Sequence, residues 1–352
     1  MGVQSNGTAA LAGLVIGGAA LVQPARWLRV RGRADTAVVT LASVSLLPAA
    51  AAELTLVAGR RWTAAGVGAV VLAAAAAVHA PLFRRTAASA AIAARSIDGP
   101  EPGSSGTPAG APTPDHTPTA DHGPGAAVRL TVMTANLLHG RADVEALART
   151  AERHDVDVLC VQEVHPGALN AIGRRVAGQL PHRHIRGGFR GAGTGIFSRH
   201  PLVDGQLPDG YGFPPVVADV LVPTSGDPRR VGVMSFHSKA PVGNGGARYW
   251  ADDLARLGRL MAAHPGPLIV AGDFNATHDH RQFRDLLTGG YHDAAADAGA
   301  GFVFTFPAHR FRVPIAGLDH VVLSRELVGL DVRSARQPGT DHKAVIARVA
   351  LT

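Results

Sequence analysis

The chain has 352 residues and a formal net charge of +7, from 34 basic and 27 acidic residues. This length exceeds that of one small domain and allows a sizeable hydrophobic core. Residues 128–352 carry 25 basic and 21 acidic residues, a mild excess that suits a phosphate-bearing substrate but does not indicate an extended nucleic-acid-binding surface. Because Cys160 is the single cysteine, an intramolecular disulfide is excluded.

Long apolar runs near the N-terminus predict membrane-spanning helices. Two runs, residues 36–58 and 63–83, have the length needed to cross the hydrocarbon core of a bilayer. A shorter, glycine-rich run at residues 8–22 is a further candidate span. We therefore expect residues 1–98 to form an anchor of two or three transmembrane helices whose partner is the lipid bilayer.

A segment of low complexity follows the predicted anchor. Residues 99–127 are rich in Pro, Gly, Ser and Thr and contain no aliphatic residue larger than Ala. Such a segment cannot bury a hydrophobic core, so we expect an extended, mobile tether. The composition changes again at Val128, which predicts a separate domain over residues 128–352.

This C-terminal region has the pattern of an α/β domain. Short apolar segments typical of strands recur along it, and helical stretches are predicted near residues 141–154, 166–179, 247–264 and 280–288. The predicted strands outnumber the helices, and several follow one another without a helix between them. This order favours mixed sheets over a simple alternating parallel sheet.

Polar side chains suited to phosphoester chemistry recur at the ends of these predicted strands. The apolar segment that begins at Leu268 ends in Asp273 and Asn275, whose spacing places both side chains on one face of the chain. A carboxylate can take a proton from water, and an amide can donate hydrogen bonds to a phosphate oxygen. The other strand-end residues are Asn136, Glu163, His237, Asp319, Asp341 and His342. Each could be a turn or capping residue on its own, but together they predict one site at a sheet edge.

The order of these motifs resembles that of the endonuclease/exonuclease/phosphatase superfamily, which includes deoxyribonuclease I, exonuclease III, bacterial sphingomyelinases and inositol polyphosphate 5-phosphatases. The segments GTGIFSRHPL at 193–202 and GGYHDA at 289–294 support the resemblance, which covers nearly all of residues 128–352. It implies a four-layer α/β/β/α sandwich like that of deoxyribonuclease I. The site would lie at one rim of the paired sheets.

The resemblance also implies a metal site. Glu163 resembles the principal ligand of a divalent cation, Mg²⁺ or alternatively Mn²⁺. Asn136 resembles its neighbour, which helps to hold metal-bound water or phosphate, and Asp341 resembles a secondary metal or orienting group. One or two carboxylates plus substrate oxygens are the usual ligands of Mg²⁺ in proteins.

The catalytic roles are implied in the same way. Asp273 resembles the residue that orients or deprotonates the attacking water, and Asn275 the residue that binds the phosphoryl oxygen. His342 resembles the histidine that contacts and polarises the phosphate, and Asp319 the carboxylate that orients a histidine. His237 stands where the deoxyribonuclease I and sphingomyelinase branches have His and the exonuclease III branch has Tyr. A histidine titrating near neutral pH can protonate a departing alkoxide.

We therefore expect a membrane-tethered, divalent-metal-dependent phosphodiesterase that acts on DNA, RNA or a phospholipid headgroup by in-line attack of water. Two alternatives stay open, a phosphomonoesterase acting on inositol phosphates or similar small molecules, and a catalytically inactive membrane-bound binding module. No obligate protein partner is inferred.

The side of the membrane is a separate prediction. The arginines that follow the apolar runs favour a cytoplasmic catalytic domain if all three runs span. Similar bacterial chains, with N-terminal helices, a Pro/Thr-rich linker and this domain, are generally thought to face outward. We expect an extracytoplasmic catalytic domain.

Overall fold

The computed structural model of the chain describes residues 2–94, 128–188, 191–309 and 312–352. The predicted tether, residues 99–127, lies outside the described residues. The described part up to residue 94 is helical, and the described part from residue 128 onward contains strands and helices. The division into anchor, tether and catalytic domain stays a prediction.

The N-terminal region forms five α-helices and two short 3₁₀ helices. In chain order they are α1 (Gly2–Val22), a 3₁₀ helix (Gln23–Trp27), α2 (Arg33–Val44), α3 (Leu46–Ala58), α4 (Trp62–His79), a 3₁₀ helix (Ala80–Phe83) and α5 (Ala87–Ala94). By length and composition, two stretches could cross a membrane, Gly7–Trp27 and Trp62–Ala94.

The predicted span at residues 36–58 differs from a straight helix. Helices α2 and α3 meet at a bend of 55°. Only if the two are taken together as one bent segment are they long and apolar enough to be a third candidate span. The sequence explains the bend, because Pro48 in the first turn of α3 has no N–H to donate to the carbonyl four residues earlier. The α-helical hydrogen bonding therefore restarts near Ser45, the residue between the two helices.

The C-terminal region alternates between runs of strands and helices. Its strands are β1 (Arg129–Asn136), β2 (Val158–Val164), β3 (His182–Arg186), β4 (Gly193–Ser198), β5 (Leu202–Gln206), β6 (Val216–Val222), β7 (Arg229–His237), β8 (Leu268–Asp273), β9 (His292–Asp293), β10 (Asp319–Leu323), β11 (Leu327–Arg336) and β12 (Lys343–Leu351). Its helices are α6 (Val144–Arg153), α7 (Pro166–Val176), α8 (Gly246–Ala263), α9 (Arg281–Leu286) and α10 (Ala294–Asp297). The four predicted helical stretches correspond to α6 to α9.

The strands form two six-stranded mixed sheets. The first has the order β11-β12-β1-β2-β4-β3 and the second the order β5-β6-β7-β8-β10-β9. Only one neighbouring pair in each sheet is parallel, β1 with β2 and β7 with β8. The predicted mixed sheets are therefore confirmed. The parallel pairs matter for function because they bring the ends of four strands to the same edge of the molecule, which we call the site edge.

The two sheets pack face to face, with helices on both outer faces. Side chains from both sheets, such as Val132 and Ile269, share one buried cluster. Helices α6 and α7 cover the outer face of the first sheet, and α8 and α9 cover that of the second, where Trp250 is fully buried. The central strands are buried on both faces, so their sequences are apolar almost throughout, whereas the edge strands β3 and β5 are more exposed and more polar. The architecture is the predicted four-layer α/β/β/α sandwich.

The helical N-terminal region packs directly against the sandwich. Val30 and Val39 join the hydrophobic cluster under α8 and α9. The Gln282 side chain bonds to both backbone polar groups of Val30, at 3.3 and 2.9 Å, and Arg29 pairs with Asp285 at 2.6 Å. The helical N-terminal region is thus in direct contact with the sandwich in addition to the chain connection through residues 99–127.

A buried ionic cluster lies at the centre of this contact. Asp279, in the loop before α9, accepts a hydrogen bond from His79 Nε2 at 2.9 Å and lies 3.5 Å from Arg26 Nη1. All three side chains are at most 7% exposed. Although burial disfavours its charge, the bond from His79 and the charge of Arg26 hold the pKa of Asp279 below its usual range. Arg26 lies one residue before the end of the candidate span Gly7–Trp27, and His79 ends α4 within the candidate span Trp62–Ala94.

Candidate active site

The site edge collects most of the predicted functional residues. Asn136 and Glu163 lie at the ends of β1 and β2, and His237 and Asp273 end β7 and β8 in direct register. Asp319 begins β10, opposite Asp273 in the antiparallel pair. Because all these strand ends meet at one edge, Asn136 and Asp273, which are 137 positions apart in sequence, come within hydrogen-bonding distance.

Glu163 is turned out of its strand by a local irregularity. The register between β2 and β4 shifts between Val161 and Val164, so β2 contains an extra residue there. Glu163 itself has a φ of 53°, in the left-handed region that non-glycine residues rarely adopt. Such strain is a feature of functional sites. The bulge leaves the Glu163 side chain 17% exposed, whereas Asp273 is buried.

Asn136 links the two carboxylates. Its amide nitrogen donates to Glu163 Oε1 and to Asp273 Oδ2, each at 3.0 Å, and its amide oxygen accepts from the Leu138 N–H. These partners fix the orientation of the amide group. Burial is the largest cause that raises the pKa of Asp273 to about 7, and the charge of Asp319 acts in the same direction while His342 opposes it. Asp273 can therefore gain or lose a proton near neutral pH.

Asn275 lies beside Asp273 at the mouth of the site. Its backbone N–H donates to Asp273 Oδ1 at 2.8 Å, and its φ of 47° is again left-handed. The amide nitrogen donates to the Ser238 carbonyl at 3.0 Å and lies 3.5 Å from His237 Nε2. The Trp250 indole and the Ser238 hydroxyl both donate to the Phe274 carbonyl between these two residues. The GDFN turn is thus held from several sides.

His237 is buried between the carboxylates and an aromatic ring. Its Nε2 lies 3.7 Å from Asp273 Oδ2 and 3.8 Å from Glu163 Oε1. The Phe213 ring stacks on the imidazole at a centroid distance of 4.1 Å. Burial lowers the pKa of His237 to about 4, so the ring is neutral at pH 7 before substrate binds.

His342 forms the second imidazole of the site and is paired with Asp319. Its Nδ1 donates to Asp319 Oδ2 at 2.8 Å, and its Nε2 lies 3.7 Å from Asp273 Oδ2. Burial by itself opposes a charge on His342, but Asp319 and Asp273 outweigh it and raise the pKa to about 10. The two histidines therefore differ in charge at neutral pH, with His342 cationic and His237 neutral.

Asp341 lies apart from this network. It is half-buried, and among the described residues its carboxylate forms no hydrogen bond with Glu163 or Asn136. Its charge contributes to the raised pKa of His342. The geometry thus brings Asn136, Glu163, His237 and Asp273 together with Asn275, Asp319 and His342, and leaves Asp341 at the margin.

A second histidine-carboxylate cluster lies below the site. Asp293 Oδ2 is 2.6 Å from His320 Nδ1 and 3.0 Å from His278 Nε2. His320 Nε2 faces only the carbonyls of Ala276 and Gly317. Since both ring nitrogens of His320 face acceptors, both must donate, and the ring is an imidazolium. Asp293 raises the pKa of His320 against the effect of burial. These groups hold β9 and β10 to the loop after Asn275.

Two contributors were absent from the sequence analysis. Phe213 stacks on His237 but lies in a loop without recognisable periodicity. Trp250 fixes the GDFN turn from helix α8. A buried tryptophan at a helical position is ordinarily a core residue, so its type alone does not distinguish the two roles.

Comparison with known proteins agrees with this geometry. The profile of the endonuclease/exonuclease/phosphatase family matches residues 133–342. The chain belongs to this family. Members of the family include nucleases and phosphatases and use divalent metals. No curated protein sequence matches the chain.

Solved structures of low sequence identity share the fold. The endonuclease/exonuclease/phosphatase from Bacteroides vulgatus superposes with a TM-score of 0.52 and 17% identity, covering 64% of this chain and 99% of that chain. The family member from Beutenbergia cavernae has a TM-score of 0.50 and 19% identity, covering 64% and 72%. A humanised D. rerio TDP2 has a TM-score of 0.51 and 15% identity, covering 63% and 99%. At these identities the likeness establishes the fold alone.

The side chains at the site edge fit a divalent cation. Three carboxylates, those of Glu163, Asp273 and Asp319, meet there with one cationic imidazole, and oxygen donors of this kind suit Mg²⁺. Asp319 Oδ1 is buried without a hydrogen bond from any described residue. Asp273 and Asp319 place carboxylate oxygens within 4.8 Å of each other, whereas the protonated His342 ring beside them has no free nitrogen for a metal. The pocket holds more negative charge than its protein partners compensate, and a cation would offset it.

Proposed function

We propose that the protein is a membrane-anchored, divalent-metal-dependent phosphodiesterase. The observation that carries the proposal is the convergence of Glu163, Asn136, Asp273 and two differently charged histidines at one sheet edge. This set provides a base, a cationic group and a cation-binding carboxylate within one pocket, as hydrolysis of a phosphate ester requires.

The reaction we propose is hydrolysis in which one side chain accepts a proton from water and another donates a proton to the leaving alcohol. Water attacks phosphorus, the phosphorus–oxygen bond to one alcohol breaks, and that alcohol leaves with a proton while the other stays esterified. Asp273, whose pKa is raised to about 7, accepts the proton of the attacking water. His342 holds its proton against Asp319 and neutralises charge on the phosphoryl oxygens, to which Asn275 donates from the other side.

His237 is the proposed donor to the leaving oxygen. Its imidazole is neutral without substrate, because burial lowers its pKa. An anionic phosphate next to Nε2 favours the protonated ring, which then protonates the alkoxide as it departs. A diester with a poor alcohol leaving group needs such a donor. The need is smaller when the leaving group is already acidic.

The cation would be held by Glu163 with Asn136, and Asp341 is the proposed outer ligand or orienting group. When bound, Mg²⁺ or Mn²⁺ supplies positive charge to the phosphoryl oxygens in the transition state. Glu163 suits this role because it is the most exposed of the three carboxylates, so one face of it is open to solvent.

The anchor is part of the proposal. Helices within Gly7–Trp27 and Trp62–Ala94 are long and apolar enough to cross a bilayer. Two of the arginines after the apolar runs contact the C-terminal domain, Arg29 through Asp285 and Arg85 through the Leu330 carbonyl. These two arginines therefore have a role other than setting membrane topology. We propose an extracytoplasmic catalytic domain, which protease accessibility in intact cells tests.

The function is tested with the full chain purified in detergent and freed of metal with EDTA. We expect Mg²⁺ or Mn²⁺ to restore hydrolysis of bis(p-nitrophenyl) phosphate, and Asp273→Asn to lower kcat by about 10³-fold or more. The matched control is Asp209→Asn, a carboxylate 86% exposed and outside the site, which should keep full activity. Preference for p-nitrophenyl phosphate would favour the phosphomonoesterase. Metal binding without hydrolysis of either ester would favour the binding module.

A further inference from the structure

The exposed apolar side chains of the catalytic domain are unevenly distributed. Among the described residues from 128 onward, five large and mainly apolar side chains are 41 to 79% exposed, and we call them the apolar rim. They are Leu207, Val242, Tyr249, Val313 and Ile315. Isolated exposed apolar residues are common on soluble proteins, so their position decides whether they have a function.

Three of these residues lie beside His237, two in loops and one in a helix. Leu207 directly follows β5, and Phe213 of the same loop stacks on the His237 ring. Val242 lies in the loop between β7, which ends at His237, and α8, and Tyr249 lies in the first turn of α8. Both loops therefore leave the sheets at the site edge.

The remaining two lie in the loop on the opposite side of the site. Val313 and Ile315 precede Asp319, which begins β10 at the site edge. Phe306, at the start of that loop, contacts the His342 ring at a centroid distance of 5.0 Å. The apolar rim thus surrounds the candidate active site. In the described part of the domain, the loops at the far end of the sheets carry none of these exposed side chains.

Two of the three rim loops are basic. Residues 238–249 contain Lys239 and Arg248, residues 312–317 contain Arg312, and neither segment has an acidic residue, whereas the loop after β5 contains Asp209, which pairs with Arg186. The Lys239 ammonium group lies 4.7 Å from the centre of the Tyr249 ring. Apolar and aromatic side chains interspersed with basic ones are the composition of surfaces that rest in the headgroup region of anionic membranes.

The N-terminal helices place the same edge close to the end of the first candidate span. Gly7–Trp27 has 21 residues, about 31 Å of helix, which matches a hydrocarbon core of about 30 Å. Trp27, at its C-terminal end, is 61% exposed, as expected of an interfacial aromatic residue. Arg26, next to this end, lies 3.5 Å from Asp279, which is only four residues after Asn275. The loop that leaves the active site is therefore held at the membrane boundary.

We propose that the apolar rim rests in the bilayer and that the substrate is a phospholipid of the same membrane, whose phosphodiester enters the site from the headgroup layer. This inference rests on the proposed phosphodiesterase function and names its substrate class. The rim gives a lipid phosphate access to Asp273 and His342 without its leaving the membrane. Exposed apolar side chains around the site would add nothing to the phosphate contacts by which a nucleic acid is bound.

The test uses the full chain reconstituted in vesicles of phosphatidylcholine, phosphatidylglycerol and sphingomyelin, with lipid hydrolysis followed by ³¹P NMR. We expect Val242→Ser/Val313→Ser to lower vesicle hydrolysis by tenfold or more. Hydrolysis of soluble bis(p-nitrophenyl) phosphate should change less than twofold. The matched control, Val242→Ile/Val313→Ile, keeps the side chains apolar and should retain both activities.

The outcomes separate the two proposals. If the wild type hydrolyses neither lipid nor bis(p-nitrophenyl) phosphate, the phosphodiesterase function itself is wrong. If it hydrolyses the soluble ester and duplex DNA but no lipid, or if the serine variant hydrolyses lipid as fast as the wild type, the lipid proposal is overturned.

A measurement independent of activity uses an environment-sensitive fluorophore on Val313→Cys, since Cys160 is buried and the burial raises the pKa of its thiol. We expect a blue shift on addition of vesicles that is absent for the same label on Arg153→Cys at the far end of α6. Equal spectra at both positions would contradict contact between rim and bilayer.

Discussion

Replacing Asp279 by Asn tests whether the anchor is docked on the catalytic domain or is only tethered to it. Asp279 is 1% exposed and faces His79 and Arg26, which are 3% and 7% exposed. Removing one partner of a buried ion pair costs about 3–5 kcal/mol, because the opposite charge stays buried without compensation. Asn keeps the shape of the Asp279 side chain and one oxygen that can accept the hydrogen bond from His79, so we take the lower end of this range of free energies. A cost of about 3 kcal/mol corresponds to a loss of roughly 10²-fold in the docking equilibrium.

The assay separates docking from the covalent connection. A protease site inserted in residues 99–127 is cut in the purified full chain in detergent micelles, and the anchor is then captured by an N-terminal tag. We expect the wild-type catalytic domain to remain bound after cleavage and the Asp279→Asn domain to be released. Detergent is used so that contact of the domain with lipid does not retain it.

The chain offers a matched control at the same interface. Asp285 pairs with Arg29, but these side chains are 42% and 55% exposed. An exposed pair of this kind contributes about 0–1 kcal/mol, so Asp285→Asn should stay docked. Release of the cleaved wild type, or equal release of the Asp279 and Asp285 variants, would refute the reasoning and leave the anchor as a tether alone.

Three further predictions concern the site and its support. Glu163→Gln should lower Mg²⁺-dependent hydrolysis by about 10³-fold with an unchanged melting temperature in EDTA, and activity within about threefold of wild type at saturating Mg²⁺ would exclude Glu163 as the ligand. His237→Ala and His342→Ala should each lose about 10²-fold or more in kcat on an alkyl diester. A nitrophenyl diester should restore the activity of His237→Ala but not that of His342→Ala. The reverse result would mean that His342, and not His237, donates the proton to the leaving group. The pKa of His320 is raised in the folded chain. Protonated His320 therefore stabilises the fold fully at a pH below its pKa in the unfolded chain, and this stabilisation is lost as the pH rises through its pKa in the folded chain. The unfolding free energy of wild type should therefore fall by up to about 1.4 kcal/mol per pH unit above about pH 6.5 relative to His320→Gln, and parallel denaturation profiles from pH 6 to 9 would contradict this.

The amino-acid sequence by itself determined the fold class and the composition of the site. Strands buried on both faces require continuous apolar runs, and amphipathic helices require a 3.6-residue period, so both leave local patterns that can be recognised. Asp273 and Asn275 are two residues apart on one strand end, and their common face follows from strand geometry alone. Strand β11 was not predicted, because its sequence, LVGLDVRSAR, alternates only in part with polar residues.

Only the tertiary structure decided which of these residues meet and in which state. Asn136 bridges Glu163 and Asp273 because β1, β2 and β8 end at one edge, and that depends on the pairing of strands far apart in sequence. The pKa of His342 is raised and that of His237 is lowered by burial, so His342 is cationic and His237 is neutral. The Asp319 carboxylate faces the His342 ring, whereas the Phe213 ring stacks on the His237 ring.

The contact between anchor and catalytic domain was likewise beyond the sequence. Arg26 follows one apolar run and His79 lies within another, so local composition cannot reveal a protein partner. Asp279 is that partner, 253 positions from Arg26 and 200 positions from His79. Local periodicity reports which side of an element is buried, whereas contacts between distant elements arise only when the chain is packed in three dimensions.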